Sequence, residues 1–415
     1  MEQKRMTAQR KASVIALALF STTYVGIGTA YAMPTGGEVK SGAATVSTDA
    51  AQMNVNQSTD KVAIDWQSFD IAKGETVNFN QPGQSSIALN RVVGSDAKAS
   101  SIQGSLNANG RVFLINQNGV LFAKGAQVNV GGLVASTKDI SVKDFMAGQY
   151  NFAGASDKAV INEGTIKAEG GLVALLANHV ENNGIIATNF GTTALAAGND
   201  FNIDFEGDGK INLAVNSAAT NAKILNAGTI QANGGVILMT ARDASSVVNT
   251  VINNTGVMEA HSMKAVNGEI VLDGGEQGVV SVGGSLDASG SEAGQTGGNI
   301  KIVGANTQVL AGTSLKASGT LAGGNIETSG TALNIASGVH VDTSSAQGKA
   351  GEWLLDPMNI TIADLDTNGI DASTSDTYTS SAEGAVLSVK TLNEALANGS
   401  NVTIETNNKE AWNSA

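Results

Sequence analysis

The chain has 415 residues, a formal net charge of −13, 42% hydrophobic and 15% charged residues, fifty glycines, three prolines and no cysteine. So little charge beside so much aliphatic side chain excludes a disordered polypeptide, which combines high charge with low hydrophobicity. The acidic balance excludes nucleic acid as a partner, because that affinity rests on lysine and arginine neutralising phosphates.

The chain opens with Lys4, Arg5, Arg10 and Lys11, then an uncharged stretch from Ala12, then Ala30-Tyr31-Ala32 in a small-x-small arrangement. This pattern predicts a cleaved signal peptide over residues 1–32. Ser21, Thr22, Thr23 and the glycines dilute the span too far for a membrane anchor. Removal of Glu2 and four basic residues leaves a mature chain from Met33 with a charge of about −16 and only Arg91, Arg111 and Arg242 as arginines. The lack of cysteine in a chain bound for an oxidising compartment has two readings. A large protein does not need disulfides, or a chain crossing a second membrane unfolded must avoid them.

From Phe113 to Thr137 the sequence FLINQNGVLFAKGAQVNVGGLVAST sets short apolar runs between asparagine and glycine corners. Self-similarity follows. NEGTIKAEGGLVALLA (Asn162 to Ala177) and NAGTIQANGGVILMTA (Asn226 to Ala241) match almost position for position, with echoes at NNGIIA (Asn182 to Ala187) and NTGVMEA (Asn254 to Ala260). GGSLDASG from Gly283, GTSLKASG from Gly312 and GVHVDTS from Gly338 carry the same unit, and GGNI recurs at Gly297 and Gly323. Periods of this size mean stacked repeats. Glycine or β-branched residues every few positions would each cost roughly 0.5 to 1 kcal/mol inside a helix, which rejects a helical solenoid. Propeller blades are longer.

The remaining fold is all-β, a solenoid of about 20 to 28 residues per coil, with two or three strands of about four to six residues joined at glycine or asparagine corners. Stacked asparagines form ladders and stacked aliphatics form columns. The body from Trp66 to Trp353 then holds about twelve coils, a rod of roughly 55 to 60 Å at about 4.8 Å per coil. The end changes character. GEWLLDPMNITIADLD (Gly351 to Asp366) brings tryptophan, proline and acidic residues, DASTSDTYTSSAEG (Asp371 to Gly384) is rich in serine and threonine, and Val389 to Ala397 reads as a short helix. The chain stops without a terminal capping unit, as a fragment of a longer protein would.

Reactive constellations are thin. His179, His261 and His340 lie far apart, none with a partner at metal-ligand spacing. Asp200, Asp204, Glu206 and Asp208 form the densest acidic cluster, but without calcium-loop spacing it reads as a solvated turn, and Asp364, Asp366 and Asp371 fare no better. Solenoids of this kind include polysaccharide lyases and glycosidases, which need carboxylates, and for a lyase a base, gathered on one face. No such set and no G-x-S-x-G elbow is visible, so no enzyme, cofactor or metal is expected. Trp66, Trp353 and Trp412 are too dispersed for a sugar platform.

The stretch Asn90 to Thr137 resembles the haemagglutination-activity, or two-partner-secretion, domain of filamentous haemagglutinin-type exoproteins. The resemblance rests on Asn90-Arg91-Val92, Ile102 and Gly104, Ala108-Asn109-Gly110, Val112-Phe113-Leu114, the Asn-x-Asn-Gly turn at Asn116 to Gly119, and the GGLVAST close. It covers about fifty residues, and EWLLDP at Glu352 to Pro357 looks like a segment of large adhesins of the same group. Gln117 stands where the family commonly has proline, so that ring's hold on φ is absent.

The resemblance implies a right-handed parallel β-helix and export of the unfolded chain by a cognate outer-membrane β-barrel transporter with periplasmic POTRA-type domains. Strand addition would be the mode of recognition. It implies a chain secreted to, or released from, the outer surface of a Gram-negative bacterium. There it would act as an adhesin on a host-cell glycan or protein receptor. The same front end serves toxin-delivery (contact-dependent inhibition) and haem-acquisition exoproteins, and both remain alternatives beside the β-helical enzyme. The layout expected is a secretion domain over 33–190, a β-helical shaft over 191–352 and a divergent segment over 353–415. Asn90, Arg91, Asn107, Asn109, Gly110, Asn116, Asn118 and Gly119 are the candidate recognition residues. Each has two possible roles, a corner that must be tight or a direct transporter contact, and Arg91 is the best candidate for contact because arginine is so scarce.

Overall fold

The computed structural model describes residues 32–94, 97–205, 212–244, 249–263, 266–363 and 385–406. Residues 1–31 of the expected signal peptide, Glu206, Asp208, Asp364, Asp366, the stretch from Asp371 to Gly384 and Trp412 lie outside them.

One coil shows the rule. Arg111–Ile115, Val120–Phe122 and Gln127–Asn129 lie on three successive faces, and Gly132–Ser136 then returns to stack on Arg111–Ile115 in parallel register. Strands on the third face are mostly three residues long, shorter than the sequence suggested, because a three-residue strand needs only its middle side chain inside. That side chain builds an unbroken column. Leu106, Val128, Ile166, Ile186, Ile230, Met258, Leu286, Leu315 and Val341 are register partners from coil to coil, and all are buried. The result is a right-handed parallel β-helix, the hand that parallel crossovers take.

Among the described residues the third face is a 12-stranded sheet. Its first pair is antiparallel, and between Trp66 and Trp353 the described face carries ten parallel strands where about twelve coils were expected. The other two faces register as one 22-stranded sheet, since Asn299–Val309 and Asn325–Ile335 run through the corner between them. Compact coils keep the predicted period, 20 residues from Leu172 to Thr192 and 26 from Asn299 to Asn325. Elsewhere the step is longer, 40 residues from Leu133 to Val173 and 44 from Thr192 to Val236, because the chain leaves the coil.

These two excursions form a second layer. The first holds helix α1 (Val142–Ala147), started by the Ser141 side chain accepting from the Asp144 amide and stopped by Gly148 at φ 81°, followed by the strand Tyr150–Ala153. The second supplies Asp200–Asp204 and Asn212–Ser217, completing a three-stranded antiparallel sheet. Asp200 and Asp204 therefore sit in a strand, not in the solvated turn expected of them. This layer covers the outer side of the first face, where Leu89, Phe113, Val134, Ala174 and Ala194 are apolar outward as well as inward. Phe113 meets Tyr150 at 5.6 Å and Phe145 at 5.9 Å edge-on, and the Arg111 guanidinium lies 4.8 Å from the Phe205 ring centre. A helix built from thin aliphatic layers thus acquires an aromatic flank.

Both described ends of the column are covered in part. Glu38–Ser41 and Ala44–Asp49 pair antiparallel with Lys61–Trp66 and Gln52–Gln57, satisfying an edge that would otherwise template another strand. At the other end helix α2 (Val389–Ala397) has the bounds read from the sequence, buries Ala395, and donates from Thr391 Oγ1 to the Ala336 carbonyl at 2.9 Å.

Candidate functional site

The eight candidate residues fall into three settings. Asn90, on the strand Ile87–Val92, is wholly buried, accepting from Trp66 Nε1 at 3.0 Å and donating to the carbonyls of Ala88 and Phe113. Arg91 forks onto Asp65, its register partner one coil back, through Nε at 2.9 Å and Nη2 at 3.1 Å. Its Nη1 reaches the Ile140 carbonyl at 3.2 Å and lies 3.7 Å from Asp139. A planar guanidinium suits this two-sided grip, and it pins the first excursion to the coil at its point of departure.

Asn109 and Gly110 close the next corner. The Asn109 side chain exchanges two 2.8 Å hydrogen bonds with the backbone of Gln81, copying a strand pair, and the Gly110 amide donates to Gln81 Oε1 at 2.9 Å. A Cβ at Gly110 would stand 2.6 Å from the Ser86 carbonyl oxygen, so backbone approach dictates glycine. Asn107 differs. It belongs to a solvent-facing ladder, donating to Asn78 at 3.0 Å while Asn129 donates to it at 3.4 Å.

The Asn116 to Gly119 turn is held by its first residue. Asn116 is fully buried; its Oδ1 accepts from the Asn118 amide at 2.9 Å, and its carbonyl accepts from the Gly119 amide at 3.0 Å. Its Nδ2 donates to the Lys98 carbonyl at 2.8 Å and to Ser100 Oγ at 3.0 Å, tying the turn to the coil before it. Gly119 takes φ +112°, which L side chains rarely adopt. Gln117 and Asn118 are exposed, and the Gln117 carbonyl accepts from Ser156 Oγ at 2.6 Å. With Gln117 in place of a proline ring, side-chain hydrogen bonding from Asn116 and Ser156 fixes the loop.

Sequence reading missed the partners of these residues, Asp65 and Gln81, and it missed a buried cation nearby, Lys138. Lys138, just after GGLVAST, is buried, with Nζ donating to the Ser156 carbonyl at 2.7 Å and to Asn199 Oδ1 at 3.0 Å. Desolvation lowers its pKa, opposed by Asp157. It ties the two excursions to each other. The signal available was a lone cation following an otherwise uncharged run.

The repeat motif itself is resolved. Asn162, Asn182, Asn226 and Asn254 form an internal ladder at 2.8, 2.7 and 2.7 Å, ending on the Gly283 carbonyl, with the four side chains essentially closed to solvent. The glycine two positions on is equally forced, since a Cβ at Gly228 would lie 2.2 Å from the Gly184 carbonyl oxygen. The histidines occupy the flanks. His261 stands 3.4 Å from Asp287; hydrogen bonding to that carboxylate raises the imidazole pKa. Against the effect of its own burial, bonds from His261 and Ser289 hold Asp287 at about 2. Burial lowers the pKa of His179. Among the described residues no group of three His, Cys, Asp or Glu side chains is placed to hold a metal, and no helix is long and apolar enough to cross a membrane.

Comparison with known proteins agrees with this fold. The family model described as the TPS secretion domain matches residues 30–288. A Heme/hemopexin-binding protein of Haemophilus influenzae strain Rd is 37% identical over 273 residues, 63% of this chain and 30% of that protein. A second protein of that name from Haemophilus influenzae is 32% identical over 249 residues, 54% of this chain and 26% of its own length. The chain thus spans less than a third of the curated relatives it matches. The crystal structure of the HMW1 secretion domain from Haemophilus influenzae superposes with a TM-score of 0.64 over 90% of this chain and all of that one, at 24% identity, and shows the shared fold.

Proposed function

The chain belongs to the TPS secretion domain family, and from that premise we propose that residues 33–190 are both its export signal and the nucleus on which the β-helix forms. Members of this family leave through the outer membrane with a cognate transporter, which is therefore this chain's partner. The observation that carries the proposal is the burial of the motif. Asn90 and Asn116 are closed to solvent, and the Arg91 guanidinium is gripped by Asp65 and the Ile140 carbonyl. In the folded coil these groups have partners already, so a transporter reads them only in the extended chain. The periplasmic POTRA-type domains of the partner would pair with that chain by strand addition.

Once outside, the same groups find their partners across coils and the chain cannot slide back. Folding of about 100 residues releases roughly 5 to 15 kcal/mol, enough to bias transit with no nucleotide involved. Residues 191–352 then extend the column as a shaft displayed at the cell surface or released, and the chain takes no catalytic step. The test is to express the chain with its transporter and follow release into the medium. Asn116→Ala and Arg91→Ala should accumulate in the periplasm and fold slowly when purified from denaturant, whereas release of both variants at the parental rate would contradict the proposal.

A second reading concerns what the exported protein captures. Identity of 37% to a protein named for heme and hemopexin favours haem acquisition over adhesion to a host-cell glycan or protein receptor. Titration of the secreted protein with haemin and with hemopexin separates these, since an adhesin would bind neither.

A further inference from the structure

A groove of about 680 Å³ runs along the outside of the first face beyond the second excursion, lined by Arg242, Asp273, Lys301, Glu327, Ser329 and Asp356 among others. Among the described residues five carboxylates line it, these three with Asp243 and Glu276, against two cations, a formal balance of −3. Both cations are engaged. Arg242 Nη2 lies 2.6 Å from Asp273, and Lys301 Nζ lies 3.5 Å from Glu327, which also accepts from Ser329 Oγ at 3.0 Å.

Asp356 is different. It belongs to the EWLLDP segment, where Trp353 and Leu355 point into the core and Asp356 points the other way, into the groove. The residue is only 7% exposed, and its carboxylate, which makes no hydrogen bond or ion pair with the described residues, keeps its oxygens open to the groove. Its register neighbour one coil back is Ser329, and the next strand places Glu405 beside it, its amide bonded to the Leu355 carbonyl. Burial, Glu405 and Glu327 all push the Asp356 pKa up. A carboxylate at the floor of a groove, with acidic neighbours and no donor of its own, is one that a bound cation stabilises.

The surroundings specify which cation. No three ligands stand at metal-holding distance among the described residues. Val271 and Val303 provide an apolar strip in the same groove, and long basic side chains lay their methylenes on such strips while the charged head stays polar. We propose that this groove binds an organic cation, a primary ammonium or guanidinium on an aliphatic stem, with its head paired to Asp356 and its stem along Val271 and Val303. The negative balance of the groove disfavours the propionates of haem, so this site is separate from any haem-binding role of the exported protein.

Two sources supply such a group, a free polyamine or a lysine or arginine side chain of an extended polypeptide. Isothermal titration of the full chain with spermidine, with blocked Gly-Arg-Gly and Gly-Lys-Gly peptides, and with calcium chloride distinguishes them. Saturable binding of spermidine or of a peptide is expected, and the tighter of the two identifies the source. Asp356→Asn should weaken it at least tenfold without lowering the melting temperature, because it removes a charge from an acidic column. Val303→Lys, which places an ammonium in the groove, should abolish binding and raise the melting temperature. Absence of binding by every organic cation, equal affinity in Asp356→Asn, or calcium binding that spermidine does not displace overturns the proposal.

Discussion

Two asparagine ladders run along this β-helix, and they differ in one respect. Asn162, Asn182, Asn226 and Asn254 stack inside the column, closed to water, at 2.7 to 2.8 Å. Asn54, Asn78, Asn107 and Asn129 stack on the outer side of the third face at 3.0 to 3.4 Å, in reach of solvent. The residue type and the coil-to-coil spacing are shared, but the alternative to each bond is not. An outer amide that loses its neighbour takes up water; an inner one is left unsatisfied, at about 1 to 3 kcal/mol per group. The proposed export motif straddles this divide, with Asn90 and Asn116 on the inner side and Asn107 on the outer.

The largest effect is expected where the inner ladder is cut. Asn182→Ala removes the acceptor of Asn162 and the donor to Asn226, so about 3 kcal/mol should be lost, read as a lower denaturation midpoint. Solenoids melt piecewise, so hydrogen exchange should place the loss in the coils on either side. Asn116→Ala, which leaves the Lys98 carbonyl and the Asn118 amide without their partner, should cost about 2 kcal/mol by the same measurement. Arg91→Ala should cost about 1 to 2 kcal/mol, since a partly exposed ion pair is worth less than a buried one, and should raise exchange in α1. Asn78→Ala on the outer ladder should change stability by less than about 0.5 kcal/mol, and a loss as large as that of Asn182→Ala would erase the distinction.

A further effect is a pH dependence. His261 has its pKa raised by Asp287, so its contribution is complete below the unfolded value of about 6.5 and fades as pH rises through the folded one. At a half-exposed site this amounts to no more than about 1 kcal/mol. Comparing melting temperatures of the parent and His261→Asn at pH 5.5 and pH 8 should show a gap at the lower pH that closes at the higher.

What the sequence disclosed follows the same divide between repeat and exception. Stacking in register repeats its requirements, so N-x-G corners and aliphatic middles reappear coil after coil, and period and fold class could be read from Asn162 to Ala177 set against Asn226 to Ala241. The helix at Val389 to Ala397 was legible for a local reason, an absence of glycine and β-branched residues after Thr391. The excursions were not. Their antiparallel sheet is long-range, pairing Phe152 with Phe201 across 49 residues, and the second core it forms uses the outer side of strands whose inner side already accounts for their hydrophobicity. Phe113, in the sequence one member of an apolar run, is the hub of that outer cluster. The candidate residues were named, but their partners Asp65 and Gln81, and the buried Lys138 that joins the excursions, were not, because each contact joins points brought together only by winding.

On this account the proposed export motif is available to a partner before the coils close and hidden afterwards. Surface plasmon resonance with the immobilised periplasmic domains of the cognate transporter tests it directly. The chain diluted from denaturant should bind, the same chain after refolding should not, and a peptide spanning 90–137 should compete. Equal binding of the refolded chain, with protection from exchange at Asn116 to Gly119, would show that the folded surface is what the transporter reads.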